Sequence, residues 1–399
     1  MAKFLGKLYG HQVEGVDFAL STPYHINGFE MGLGKTATSL AVACKLGAKT
    51  LVVCPAFLRN NWLNEIEKFT EGLDITVTSY TQLHKLGVKG YDFIIADEAH
   101  YLKNHKAKRT GAFHELIVNE KPTHLMLMSG TPIKNRVSEF WSLLQLCYYG
   151  GSYDIFKPFF KLYFKFCHSF SYERTFEVNG IPIVRFDGVK NAEALKSLIA
   201  PVYLRKRADD VLDLPDIVNT NIFTKNAKKY DAKLKEAFDL FQIKDPAYMS
   251  LKSANALAKI GDTKELVKDI LEQDKKVVVF TCHRESCRQL AKKLKCDYID
   301  GSIAPDKRQA IIDKFNDRGS VLIATIGAAS TGFNLTSANY MVFNDLPFVP
   351  ADLEQARKRI HRIGQDLQCF YYYVFSSDTD KELFEMINRK TKDIEKVYK

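Results

Sequence analysis

The feature that most constrains this chain is a succession of short, unbroken apolar runs separated by helical stretches. Thr50–Cys54 (TLVVC), Tyr91–Ala96 (YDFIIA) and His124–Met128 (HLMLM) come early. Val277–Thr281 (VVVFT), Val321–Thr325 (VLIAT), Tyr340–Asn344 (YMVFN) and Phe370–Phe375 (FYYYVF) come late. A strand that is apolar at every position, rather than at every second one, has to be covered on both faces, and this is the mark of a parallel sheet. Helical stretches such as Lys35–Leu46 and Arg284–Leu294 supply the crossovers that parallel strands require. With 399 residues there is room for two such sheets in series, so an α/β fold with two domains is expected.

Between the two sets of runs the texture changes. Tyr148–Phe176 is dense in Tyr and Phe, with Lys157, Lys161 and Lys165 interspersed. Phe156, Phe159, Phe160, Tyr163 and Phe164 have the spacing of one helical face, which suggests the packing core of a helical insertion rather than base-stacking contacts. Thr175–Phe186 (TFEVNGIPIVRF) follows, and Asn179-Gly180 between two β-prone runs predicts a hairpin. Pro182 keeps that strand out of a central ladder. Lys264–Gln273 reads as the helix that leads into the second sheet.

Lys and Arg outnumber Asp and Glu by 57 to 47, a net charge of +10 that suits a polyanionic partner such as nucleic acid. The start, MAKFLGKLYG, lacks the long apolar core of a signal peptide, and no run approaches membrane-spanning length. The eight cysteines are scattered without a CxxC pair, which points to reduced thiols, no metal site and an intracellular protein.

The strongest chemical signal is Gly28–Thr36, GFEMGLGKT. Gly32, Leu33, Gly34, Lys35 and Thr36 stand where a helix begins, and backbone N–H groups there can wrap a triphosphate. Lys35 would reach the β and γ phosphates and Thr36 would hold Mg²⁺. Phe29 occupies the position of the first glycine in the GxxxxGK[ST] pattern. Downstream, Asp97-Glu98-Ala99-His100 follows an apolar strand, so both carboxylates emerge at its C-terminal end, where α/β sheets bind their ligands. Asp97 is expected on Mg²⁺, and Glu98 as the base that orients and deprotonates water.

GLGKT, DEAH, Ser129-Gly130-Thr131-Pro132 and Gln355–Gln365 (QARKRIHRIGQ) occur in the order seen in superfamily-two helicases. EMGLGKT with HRIGQ resembles the Swi/Snf family of DNA translocases, and nearly the whole chain takes part in the resemblance. Phe166-Cys167-His168, Leu204–Arg207 and Asp210–Pro215 make it most similar to the HARP-type annealing helicases.

The resemblance implies two tandem RecA-like parallel-sheet lobes, with the helical insertion and small hairpin between the motif sets. Gln12 in Leu8–Gln12 would read the adenine edge. His100, Ser129, Thr131, Gly332 and Gln355 would couple the ATP site to DNA. Pro55, Arg59, Thr78, Thr325 and the hairpin Thr175–Phe186 are candidate DNA contacts. Arg359 and Arg362 would be arginine fingers, and their i, i+3 spacing would set them on one helical face. Three departures from the family pattern stand out: Phe29 for an Asp, Phe348 for a Trp, and the added charges Arg357 and Lys358, a candidate phosphate contact.

These readings place lobe one at residues 1–215, with an insertion at about 147–200, and lobe two at 216–399. ATP with Mg²⁺ is expected in the cleft between lobes. The expected function is a DNA-dependent ATPase that tracks on duplex DNA and remodels, branch-migrates or anneals forks and branches. The expected partner is duplex, forked or branched DNA with little sequence preference; no membrane is involved, and a monomer is expected. Two alternatives remain: a strand-separating DNA or RNA helicase, and a recruitment factor that uses ATP only as a switch.

Overall fold

The computed structural model describes residues 2–87, 89–148, 163–178, 181–224, 246–329 and 333–398. They form two compact units, Met1–Val211 with Lys392–Lys399, and Leu212–Thr391. The division falls four residues before the expected one, and the last eight residues belong with the first unit. The reason is apolar: Val397 and Tyr398, at the end of the helix Asp378–Tyr398, are part of the first unit's core.

Each unit is built on a six-stranded, all-parallel sheet. A short antiparallel pair, β1 (Lys3–Phe4) with β4 (Thr70–Glu71), lies outside the first sheet. That sheet uses β2 (Tyr24–Phe29), β3 (Thr50–Cys54), β5 (Ile75–Ser79), β6 (Phe93–Asp97), β7 (His124–Met128) and β10 (Tyr203–Lys206), in the order β10-β2-β7-β6-β3-β5. The second uses β11 (Ile217–Phe223), β12 (Val277–Thr281), β13 (Asp297–Ile299), β14 (Val321–Thr325), β15 (Tyr340–Phe343) and β16 (Cys369–Phe375), in the order β11-β16-β15-β12-β14-β13.

Alternation along each strand explains why the runs are apolar throughout. Ile94 and Ala96 of β6 enter one core, and Phe93 and Ile95 enter another across the sheet. In the second unit Val278 and Phe280 of β12 go one way, and Val277 and Val279 the other. Side chains on a strand point to opposite faces in turn, so a sheet with both faces covered needs both sets apolar. Among the described residues no helix is long and apolar enough to cross a membrane.

The hairpin is longer than its sequence signal. β8 (Tyr172–Val178) pairs with β9 (Ile181–Asp187), and Val178 faces Ile181 across the two linking residues. It is a two-stranded sheet of its own, with Pro182 opposite Glu177. Its foot is anchored: Phe186 is buried and meets the rings of His168 and Phe164, and Asp187 pairs with Arg136 at 2.7 Å. Phe156, Phe159 and Phe160 lie outside the described residues. In the helix Tyr163–Phe170 the buried side chains are Phe166, Cys167 and Phe170, whereas Phe164 is 59% exposed. Of the expected face, Tyr163 packs on the core beside Trp141 and His105, whereas Phe164 does not join the buried row of Phe166 and Phe170.

Candidate active site

In a parallel sheet every strand ends on the same edge, and the first unit places its chemistry there. The segment after β2 runs from Glu30 to Gly34 and opens the helix Lys35–Leu46. Gly34 has φ +74°, and a Cβ built on it would lie 2.0 Å from Nε2 of Gln12. Both the left-handed backbone and this close approach demand glycine. Gly32, at φ +85°, gives the loop its other left-handed turn.

Lys35 Nζ donates to the carbonyls of Phe29 and Glu30, at 2.9 and 3.1 Å. Thr36 sits in the first helical turn, where N–H groups lack partners within the helix. Leu33 is fully buried, and its carbonyl accepts from Gln12 Nε2 at 3.2 Å. Gln12 Oε1 in turn accepts the Tyr9 N–H at 2.9 Å, so this amide joins the entry motif to the loop. Phe29 is fully buried, and a Cβ on Gly15 would meet its ring at 2.7 Å. The departure from the family pattern thus fills space beneath the loop.

Asp97 ends β6, and Glu98 follows in a left-handed conformation at φ +49°, ψ +50°. A non-glycine residue held there stores backbone strain that its surroundings must sustain. Asp97 Oδ2 accepts from the indole of buried Trp62 at 2.9 Å, and Oδ1 from the Glu98 N–H at 2.8 Å. Tyr80 donates its hydroxyl to the Asp97 carbonyl at 2.7 Å. His100 Nδ1 lies 3.1 Å from Glu98 Oε2 and 3.4 Å from Ser129 Oγ, and Ser129 Oγ accepts the Thr131 N–H at 3.2 Å. Gly130 passes so near the loop that a Cβ would stand 3.3 Å from the Met31 nitrogen and the Phe29 carbonyl.

The two carboxyls are pushed apart. Burial, and then the charge of Glu98, raise that of Asp97, and the field of Lys35 only partly offsets this. Burial also opposes the charge of Glu98, but the hydrogen bond from His100 and the positive groups around it, Lys35 included, outweigh burial. Glu98 therefore ionises first. Burial lowers His100, which favours the neutral ring.

ATP and Mg²⁺ fit the residues present. The loop offers a cradle that side chains would fill, and Thr36 and Asp97 are the oxygen donors that a hard cation prefers.

Other expected residues fall differently. Pro55 is buried at the end of β3, and Thr78 and Thr325 are each 5% exposed, so neither threonine offers an open side chain. Arg59 opens the helix Arg59–Phe69, with its Nε shielded and without a hydrogen-bond partner. Gly332 lies outside the described residues. Gln355 is buried in the helix Pro350–Arg357.

That helix ends at Arg357, and Lys358–Ile360 form a turn, so Arg359 and Arg362 keep their spacing but do not share a helical face. Arg359 is 1% exposed, and Arg362 Nη1 lies 3.4 Å from the Phe333 carbonyl. Arg357 pairs with Glu354 and donates to the Tyr373 hydroxyl at 2.8 Å. Phe348 lies under Lys252, whose Nζ is 3.8 Å from the ring centre.

Sequence reasoning missed the support behind the loop. Glu30 accepts from Arg205 Nη2 at 3.4 Å and from the Ala208 N–H at 3.1 Å, and Arg205 also stacks on Tyr398 at 4.2 Å. No motif spacing signals contacts between residues so far apart in the chain.

A model of the SNF2-related domain matches residues 11–89 and 72–284, and one of the helicase conserved C-terminal domain matches residues 261–364. The SWI/SNF-related matrix-associated actin-dependent regulator of chromatin subfamily A-like protein 1 homolog of Caenorhabditis elegans is 28% identical, over 96% of this chain and 61% of that protein. The DNA annealing helicase and endonuclease ZRANB3 of Mus musculus is 26% identical, over 97% of this chain and 40% of that protein. The putative ATP-dependent helicase/translocase YwqA of Bacillus subtilis is 26% identical, over 96% and 48%. The chain thus spans about half the length of these relatives. Among solved structures, the Sulfolobus solfataricus SWI2/SNF2 ATPase core in complex with dsDNA is similar at a TM-score of 0.44 and 23% identity, over 98% of this chain and 92% of that one.

Proposed function

The chain belongs to the SNF2-related family, and from that premise we propose that it is a DNA-dependent ATPase that tracks on duplex DNA and remodels, branch-migrates or anneals forked and branched substrates. One observation carries the reading. Lys35 of the phosphate loop lies close enough to act electrostatically on both Asp97 and Glu98, while His100 links Glu98 to Ser129. A protein that only bound nucleotide would have no need of an ionised Glu98 tied to a second motif.

In this reading Lys35 leaves the carbonyls of Phe29 and Glu30 for the β and γ phosphates, and Thr36 and Asp97 hold Mg²⁺. When bound, ATP with Mg²⁺ supplies a terminal phosphoryl group whose charge the metal partly neutralises. Glu98 accepts the proton of the attacking water at its carboxylate. His100 keeps that carboxylate oriented and passes its position to Ser129 and Thr131. Arg359 and Arg362 would supply positive charge to the phosphates, and Gln12 would contact the adenine. The partner would be DNA held through its phosphates, with the net charge of +10 as support.

ATP turnover measured without DNA and with duplex, forked, four-way and single-stranded DNA tests the reading. Stimulation by duplex and branched DNA is expected. Equal turnover with and without DNA would overturn it.

One observation favours the strand-separating alternative. Ile183 and Val184 on β9 are 40% and 50% exposed, one on each face of a hairpin that carries no further ladder. An exposed apolar side chain there could help offset the few kcal/mol of unstacking a base step. If it acts as a wedge, replacing Glu177–Val184 by a Gly-Ser linker leaves duplex-stimulated ATPase intact and lowers fork processing. Unchanged fork processing would leave the hairpin as packing for the insertion.

A further inference from the structure

On the edge of the first sheet that carries the catalytic carboxylates, a groove of about 620 Å³ opens beyond the ends of β3 and β5, against the helix Lys108–Glu120. Phe57, Tyr80 and Tyr101 supply its aromatic lining, and the exposed side chains of His84, Lys108 and Arg109 stand along it. Tyr80 is 5% exposed and forms the deep part. Tyr101 stacks on it with ring centres 5.6 Å apart and planes 4° from parallel. The Arg109 guanidinium lies 5.5 Å from the centre of the Tyr101 ring. Phe57 is half-buried.

This is a poor site for a bare phosphate, which needs converging donors, and a good one for a flat, weakly polar ring attached to an anion. A nucleobase stacks on aromatic or guanidinium planes, and its own phosphodiester brings the negative charge that Lys108 and Arg109 complement. A paired base within a duplex cannot enter such a groove without leaving its stack.

The groove also adjoins the catalytic strand. Its deep wall, Tyr80, donates to the Asp97 carbonyl. Tyr101 packs its ring against that of His100 at 5.1 Å. A ligand that presses on either ring therefore presses on a residue bonded to, or packed on, the DEAH segment.

We propose that this groove seats a nucleobase that has left its pair, with its phosphate on Lys108 and Arg109, and that Tyr80 and Tyr101 report its arrival to Asp97 and His100. The proposal rests on the DNA-dependent reading and goes beyond it, because tracking along duplex phosphates needs no seat for a base. It gives the protein a means of distinguishing a fork or bulge from uniform duplex.

The test uses the full chain and a duplex carrying one unpaired 2-aminopurine. Stacking in the groove should quench its fluorescence on binding. An abasic nucleotide at that position should weaken binding roughly tenfold, within the range that base–aromatic stacking supports. Phe57→Ala should lose both effects while plain duplex still stimulates ATP turnover. Phe57→Leu keeps the volume without the π face, and should behave like Phe57→Ala if stacking is the cause.

Equal affinity for base and abasic DNA would overturn the proposal. So would groove variants that bind plain and bulged duplex equally poorly, which would mark a backbone track, or variants that leave all DNA responses unchanged. Failure of plain duplex to stimulate the unsubstituted protein would instead remove the DNA-dependent reading itself.

Discussion

The phosphate loop with its carboxylate pair and the basic run Gln355–Gln365 both stand out in sequence, yet their side chains are fixed in different ways. In the first region, the residues that sequence singled out stay at the site. Lys35 donates to loop carbonyls that a phosphate could replace, and Glu98 is held by His100 at the strand end. In the second, most of the basic run is spent on structure. Arg357 is tied to Glu354 and Tyr373, and His361 lies 2.8 Å from the Pro215 carbonyl. Gln365 Nε2 donates to the carbonyls of Thr336, Ala338 and Ile360. The lesson concerns what fixes a side chain. A phosphate loop acts through main-chain geometry that spacing dictates, whereas a long cation goes wherever the nearest buried acceptor draws it.

Four experiments would break or sharpen this contrast. The largest effect belongs to the loop: Lys35→Ala should abolish ATP binding and with it all turnover, measured with a fluorescent nucleotide and a phosphate-release assay. Residual tight binding would mean that the ammonium is not the phosphate ligand.

Next comes the basic run. Arg362→Ala and Arg359→Ala should each keep ATP binding but lose the DNA-stimulated part of turnover, by as much as about 10³-fold if they act as fingers. Arg359 is buried, so its variant is to be compared at equal folded fraction by urea unfolding. A normal response to DNA would assign that arginine to structure, beside Arg357. Arg357→Gln provides the contrast: it should cost about 1–2 kcal/mol of stability, as loss of a partly buried, hydrogen-bonded ion pair does, with little change in turnover per folded molecule. Lost turnover with unchanged stability would reverse the assignment.

Glu98→Gln should bind ATP normally and hydrolyse it at least about 10²-fold more slowly. Near-normal hydrolysis would hand the base role to another group.

Much of the fold was legible because burial on two faces leaves a trace in every residue of a strand. Val277–Thr281 and Val321–Thr325 are strands with the expected ends. The run Tyr91–Ala96 shifted to Phe93–Asp97 for a local reason. The Tyr91 N–H is taken by Glu120 Oε2 at 2.9 Å and that of Asp92 by the Lys49 carbonyl, so neither residue enters the ladder. The pairing of two strands was readable from the β-prone runs, but not the length of the arms, which depends on packing against His168 and Phe164.

The sequence by itself determined the order of the parallel strands' apolar runs, the phosphate loop and the place of the carboxylate pair. These rest on local rules: a glycine for a left-handed turn, a continuous apolar run for a doubly covered strand, an acidic pair at that strand's end. Only the tertiary structure decided that Trp62 and Tyr80 both hold Asp97 and that Glu30 is braced by Arg205 and Ala208. It also assigned the last turn of the chain to the first unit, where Tyr398 receives the Ile133 N–H at 3.2 Å. Those contacts join residues separated by tens to hundreds of positions. Their partners are chosen by which polar atoms folding buries together, and no local pattern records that choice.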